Sequence, residues 1–363
     1  MAVKLPRFGE RINVVTIRVD NPQQLQMIRD VAPGRVDVTS LWDSLQDDLK
    51  REWPAFLVDR FNPPGFVPKK LPRAEVDKAL READAVVIGF PYLRDLRARM
   101  PRVQWLHCAF AGVSNVRESD FWGSDVFATS ARGHTGALPI AETALAGVFM
   151  FAKKLNLGVR QTVERTFNLR AYTGIQLIEG KTLGIIGLGG IGRDLARLAK
   201  GVGMRVVATR KSAARRERDV DGVDELFPAA GLLEMLPQCD YVVVAAMWTL
   251  ETERMVNKAA FDAMKDGAVL INIARGEIVD EQAMIAALHA GKLGGAYLDV
   301  YTDEFYREPD PALTSLPNVV MTPHISVRAD VNQSFGIEVF RAYLKQVLEG
   351  RTPENVIDWE RGY

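Results

Sequence analysis

The chain has 363 residues and sets 46 lysines and arginines against 46 aspartates and glutamates, with an isoelectric point near 6.9. That length suits two or three domains, each large enough to bury a core, and zero net charge excludes nucleic-acid binding through a globally basic field, leaving room only for a local basic patch. With 47% hydrophobic and 25% charged residues the composition is that of a folded protein, and two distant cysteines, Cys108 and Cys239, support neither a disulfide framework nor a structural zinc site.

The first residues, MAVKLPRFGERINVV, carry neither the continuous apolar stretch of a secretory signal nor the Arg/Ser-rich pattern of a transit peptide, and no apolar run spans a bilayer. The expectation is a soluble, cytoplasmic protein with no membrane and no nucleic-acid partner. Strand-like runs follow at 12–19 (INVVTIRV), 85–89 (AVVIG) and 103–107 (VQWLH). Between the first two, Pro54, Pro63, Pro64, Pro68 and Pro72 predict an irregular loop over 52–72. From Pro139 to about Leu155 a helical apolar period predicts one long, mostly buried helix bridging two domains. The runs at 182–187 (TLGIIG), 205–210 (RVVATR), 241–246 (YVVVAA), 268–274 (AVLINIA), 295–300 (GAYLDV) and 318–322 (NVVMT) then recur at strand length, mostly with helical segments between them. Continuous apolar runs without in-out alternation are the pattern of parallel strands buried on both faces, so the fold class is α/β. A last helix is predicted at about 330–349, ended by Gly350.

Gly187-Leu188-Gly189-Gly190-Ile191-Gly192 matches G-x-G-x-x-G. With glycine at 29 of 363 positions the three required glycines would occur by chance about 0.2 times, so the string alone is weak. Its context is what strengthens it: the glycines end the strand TLGIIG and open the amphipathic segment RDLARLAKGVG. At such a turn the backbone can approach a pyrophosphate, and a helix N-terminus offers unpaired N–H groups. The alternative is a glycine turn that merely packs helix on strand.

The end of the next strand bears on which dinucleotide is bound, since an acidic residue there usually holds the adenosine ribose hydroxyls. Here the residues are Thr209-Arg210-Lys211-Ser212, and no carboxylate follows until Glu217. Two cations and two hydroxyls suit a 2′-phosphate through charge-assisted hydrogen bonds. NADP is therefore expected over NAD. The competing reading is a solvated basic loop, because Arg215, Arg216 and Arg218 continue the run.

Arg275, Asp299, Glu304 and His324 lie at the C-terminal ends of predicted strands, where open α/β sheets bind ligands. Singly, each is most simply a structural residue. With WLHCAFAGVSNV, SARGHTGALPIAETAL, GLGGIG, INIARGEIVD, LDV and TPHIS occurring in that order, however, the chain from about 104 to 328 resembles the D-isomer-specific 2-hydroxyacid dehydrogenases. The resemblance implies His324 as the general acid, Glu304 as the carboxylate that holds the imidazole and favours its protonated form, and Arg275 as the cation that orients the substrate. It implies cofactor contacts from the glycine loop, including Ile191, from Ala274, and from Asp299, the residue that would accept from the nicotinamide carboxamide. The loop Ala111-Gly112-Val113 would present N–H groups to the substrate carboxylate, with Phe90, Pro91, Tyr92, His107 and Phe110 lining the pocket.

Three departures stand out. Phe305 replaces the proline that commonly follows the glutamate, and a second Glu-Pro pair occurs at Glu308-Pro309; Glu304 is preferred for its five-residue offset from Asp299. Ala246-Met247-Trp248-Thr249 replaces a Leu-Pro-Leu-Thr-like stretch. Of the remaining histidines, His289 is expected at the surface, His134 near the interdomain region, and His107 is open to either substrate contact or packing.

The expected organisation is two Rossmann-like doubly wound domains. A flavodoxin-like substrate domain joins 1–131 to 326–363, with an inserted NAD(P)-binding domain over 132–325 and the active site in the cleft. The expected function is NADPH-dependent reduction of glyoxylate, hydroxypyruvate or another small 2-oxo acid by a homodimer that holds no metal. The alternatives are an NAD-linked dehydrogenase of the same family and a dinucleotide-sensing, corepressor-like binding protein.

Overall fold

The computed structural model describes residues 4–132, 136–330, 335–360 and 362, so His134 lies outside the described residues. The chain divides into two compact units, Met1–Thr135 with Asp330–Tyr363, and Gly136–Ala329. Both are parallel α/β sheets, as the continuous Val/Ile runs predict.

The first unit contains β1 (Ile12–Ile17), β2 (Val36–Ser40), β3 (Ala85–Ile88), β4 (Trp105–Cys108) and β5 (Phe127–Ser130). Their order, β2-β1-β3-β4-β5 with every pair parallel, is the flavodoxin-like order. Two of these strands, β2 (VDVTS) and β5 (FATS), lack the apolar run that marks the others, being short or interrupted by a charge. The proline-rich stretch is not wholly irregular: Pro54 precedes a helix at Ala55–Arg60, which ends before Pro63. The reason is spacing, because eight residues separate those two prolines and a proline ahead of the first turn removes no helical hydrogen bond. One face of the sheet packs Trp105, Val87 and Ile12 against Ile337, Phe340 and Leu344 of the helix Phe335–Leu348.

The second unit contains β6 (Thr182–Ile186), β7 (Arg205–Arg210), β8 (Glu217–Val220), β9 (Val223–Pro228), β10 (Tyr241–Val244), β11 (Ala268–Asn272), β12 (Leu293–Leu298) and β13 (Val319–Met321). The order is β13-β12-β11-β10-β6-β7-β9-β8, with only the edge strand β8 antiparallel. Strand order reverses beside β6, and ligands of such sheets bind beyond the carboxyl ends of the strands at that switch point. The helix Ala137–Ala152 buries Ala141, Ala144, Val148 and Phe151 in this unit's core and packs on the helix Gly190–Gly201. Among the described residues no helix is long and apolar enough to cross a membrane.

Candidate active site

Gly187 follows the last residue of β6 with φ 103, and a Cβ there would stand 2.7 Å from the Ala246 backbone, so only glycine fits. Its N–H and that of Leu188 both donate to the Thr209 carbonyl, at 3.2 and 2.9 Å, tying the loop to the end of β7. Gly189 then caps the twelve-residue helix Gly190–Gly201. No atom lies within 4 Å of a Cβ built on Gly189 or Gly190, whereas one on Gly192 would meet the Gly187 carbonyl at 2.5 Å. The loop is thus closed toward its own helix and open where the first N–H groups point, with Ile191 half-buried beside it. These residues fit the pyrophosphate of a dinucleotide.

The end of β7 differs from its linear reading. Thr209 is 3% exposed and its carbonyl is engaged by the glycine loop, while Ser212 is exposed. Arg210 is paired with Asp221, and Lys211 with Glu251 at 2.5 Å. Arg216 bonds Glu225 at 2.9 Å and also Glu234, and Arg218 lies 3.3 Å from Glu225. Four of the five cations between 210 and 218 therefore face carboxylates supplied by other segments. Asp221 stands eleven residues beyond Arg210 in the chain and comes back to it through the turn between β8 and β9.

Beyond β11, β12 and β13 the remaining residues gather. Asp299, just past β12, is 1% exposed and its carboxylate accepts from Thr322 Oγ1 at 2.6 Å, Ile325 N at 2.9 Å and Ser326 N at 3.0 Å. These bonds bracket His324, whose own N–H donates to the Asp299 carbonyl at 2.9 Å and whose φ is 54. A non-glycine residue keeps that left-handed conformation only when its surroundings over-determine it, and such positions cluster at functional sites. The His324 Nδ1 lies 2.9 Å from Glu304 Oε1, and the Phe305 ring stacks on the imidazole at 6.2 Å between centroids and 23°. Where the family commonly has proline, this chain thus covers the imidazole with an aromatic ring.

Glu304 is 2% exposed, and its Oε2 has no hydrogen-bond partner among the described residues. Arg275 donates from Nη1 to the Ala274 carbonyl at 2.6 Å, and its buried Nε is likewise unpartnered. Ala274 is itself pinned by a bond from its N–H to Asn272 Oδ1 at 3.1 Å. Burial lowers the pKa of Arg275, against the pull of Glu304 and Glu277, and burial raises that of Glu277. An arginine with a buried donor left open, together with an imidazole anchored on a buried carboxylate, forms a constellation suited to a small anionic, carbonyl-bearing ligand.

In the first unit, Tyr92 is 1% exposed, donates its hydroxyl to the Asn115 carbonyl, and packs edge-on with Phe90 and Trp53. Ala111 and Gly112 are half-buried and lead into the 3-10 turn Val113–Val116. His107 is fully buried, its Nδ1 2.8 Å from Thr129 Oγ1, which also accepts from Trp105 Nε1. Burial above all, with the Arg18 charge adding to it and the Gly336 backbone opposing it, pushes the His107 pKa down to about 3. Of the two readings open for this residue, packing is the one the structure has. His289 ends its helix exposed, as expected.

Residues 145–326, half of the chain, match the NAD binding domain of the D-isomer specific 2-hydroxyacid dehydrogenase family. The chain is 40% identical over 194 residues to glyoxylate reductase of Pyrococcus furiosus, a match covering 53% of this chain and 51% of that one. It is 30% identical over 308 residues to D-3-phosphoglycerate dehydrogenase 1 of Saccharomyces cerevisiae, covering 80% of this chain and 63% of that one. It thus spans about half to under two thirds of the length of these relatives. Among solved structures, an NADPH-dependent glyoxylate/hydroxypyruvate reductase from Sinorhizobium meliloti, in complex with NADP and sulfate, superposes with a TM-score of 0.74 over 97% of this chain and 100% of that one at 23% identity. At that identity the likeness is one of fold.

Proposed function

The chain belongs to the D-isomer specific 2-hydroxyacid dehydrogenases, and from that premise we propose that it reduces a small 2-oxo acid to the D-2-hydroxy acid with NADPH. Glyoxylate and hydroxypyruvate are the first substrates to try, a choice supported by the glyoxylate reductases among its relatives. The observation that carries the reading is His324, held in a strained backbone conformation with Nδ1 on a buried carboxylate.

With Nδ1 directed to Glu304, the His324 Nε2 is the nitrogen left to exchange a proton with the substrate oxygen. A bound reduced nicotinamide supplies the hydride. Arg275 receives the substrate's carboxylate and carbonyl oxygens through its planar fork, whose buried Nε has no other partner among the described residues. Asp299 keeps the His324 segment in place, and its remaining lone pairs can accept from a carboxamide. The Ala111–Val113 backbone is assigned to the substrate carboxylate, and Arg210, Lys211 and Ser212 to the 2′-phosphate.

The active form is proposed to be a homodimer. Val159, Val163, Phe167, Leu169 and Leu177 are 63, 79, 102, 82 and 67% exposed within one short segment of the second unit, and burial against a second copy would take them out of water.

The test is NADPH oxidation with glyoxylate, hydroxypyruvate, pyruvate and larger 2-oxo acids, alongside His324→Ala. The variant should lose turnover and keep NADPH binding; retained turnover refutes its role. Intact NADPH binding with no turnover on any 2-oxo acid would instead favour a dinucleotide-binding protein without catalysis. Replacing Arg210 and Lys211 by alanine should weaken NADPH relative to NADH.

A further inference from the structure

Two arginines stand at the carboxyl end of β7 and in the first turn of the helix that follows the glycine loop. Arg210 is the last residue of β7, and Arg193 directly follows Gly192 in the first turn of the helix Gly190–Gly201. Both turn to one carboxylate: Asp221 Oδ2 accepts from Arg210 Nη1, and Asp221 Oδ1 lies 4.0 Å from Arg193 Nη2. Asp221 is set there by backbone. With Gly222 it forms the two-residue turn between β8 and β9, at φ 53 and 80, and a hairpin turn with both residues left-handed is the one that selects Asp-Gly or Asn-Gly.

Resting on the dinucleotide reading above, we propose that Asp221 sets the balance between NADPH and NADH, as an internal counter-anion that competes with the 2′-phosphate for Arg210 and Arg193. Binding NADPH exchanges one anion for another at the same guanidinium groups, so part of the gain from the new ion pair is offset by the pair that is broken. Binding NADH leaves the pair intact and keeps a carboxylate beside ribose hydroxyls, the acceptor that the end of β7 itself lacks. The chain therefore uses both cofactors, with a smaller NADPH preference than Thr209-Arg210-Lys211-Ser212 would confer alone.

The experiment is equilibrium titration of the full chain with NADPH, NADH, 2′,5′-ADP and 5′-ADP, for the wild type, Asp221→Asn and Arg210→Ala. Asparagine keeps the left-handed turn, removes the charge and leaves one oxygen that can still accept from Arg210. Asp221→Asn should tighten NADPH and 2′,5′-ADP about three- to tenfold and leave NADH and 5′-ADP unchanged or weaker. An unchanged or lowered NADPH/NADH preference in Asp221→Asn overturns the proposal. If Arg210→Ala still weakens NADPH selectively in that case, the NADPH reading stands without it. If Arg210→Ala also leaves the preference unchanged, both fall. Asp221→Gly, equally at ease at positive φ, replaces the asparagine variant should that one not fold, with the same outcomes.

Discussion

Replacing Asp299 by asparagine should loosen the segment that carries His324 before it harms the rest of the fold. The buried carboxylate accepts three hydrogen bonds, from Thr322 Oγ1, Ile325 N and Ser326 N. An amide has one oxygen, so its NH2 must face either the Ser326 donor or the Thr322 and Ile325 donors, leaving at least one buried N–H unpaired at about 1–3 kcal/mol. Loss of charge weakens the bonds that survive by about 1 kcal/mol more. The sum, about 2–4 kcal/mol, falls on a stretch that already holds His324 at φ 54. At 1.4 kcal/mol per decade, the Ile325 and Ser326 amides should exchange with solvent about 30- to 700-fold faster, read by hydrogen–deuterium exchange on peptides covering 322–326. Turnover of the best 2-oxo acid should fall with it. Exchange within threefold of wild type, together with preserved kcat, would refute the argument that Asp299 supports the His324 conformation.

Three further outcomes are expected. His107 has a folded pKa of about 3 against an ordinary 6.5, so the unfolded chain takes up its proton first; the stability it contributes is whole above pH 6.5 and is lost as pH falls from 6.5 toward 3. Urea midpoints between pH 7.5 and 4.5 should therefore drop less steeply in His107→Gln than in wild type, by up to about 1.4 kcal/mol per pH unit, and parallel slopes would contradict the assignment. Gly187→Ala places a Cβ 2.7 Å from the Ala246 backbone at φ 103, and should cost at least about 3 kcal/mol in urea unfolding together with dinucleotide affinity; a loss under about 1 kcal/mol would mean the loop relaxes freely. Phe167→Glu combined with Leu169→Glu should give a monomer by light scattering where the wild type is a dimer, and a monomeric wild type would remove the interface altogether.

Much of this protein can be read without coordinates because its core strands are buried on both faces. Burial on both sides favours apolar side chains, with an occasional threonine such as Thr16, Thr182 or Thr209, so Ile12–Ile17, Thr182–Ile186, Arg205–Arg210 and Tyr241–Val244 stand out as Val/Ile runs at the residues where the strands lie. Backbone need is equally legible: Gly187 must be glycine because its φ and its closeness to Ala246 exclude a Cβ, and Gly192 because a Cβ there would meet the Gly187 carbonyl at 2.5 Å. The ordered motifs likewise name Arg275, Asp299, Glu304 and His324 as one set. The strands β2, β5, β8 and β9 left no such mark: β2, β5 and β8 are short strands at a sheet edge, while in β9 the charges of Asp224 and Glu225 are met by Lys200, Arg205 and Arg216. Nor did the chain order reveal that Asp221 returns to Arg210, that the Asp299 carboxylate is engaged by the His324 segment, or that His107 sits neutral in a core. Local pattern records what each residue needs from its own backbone and from burial. Which carboxylate meets which cation depends on hairpin register and sheet order, and these bring together residues that local pattern treats as independent.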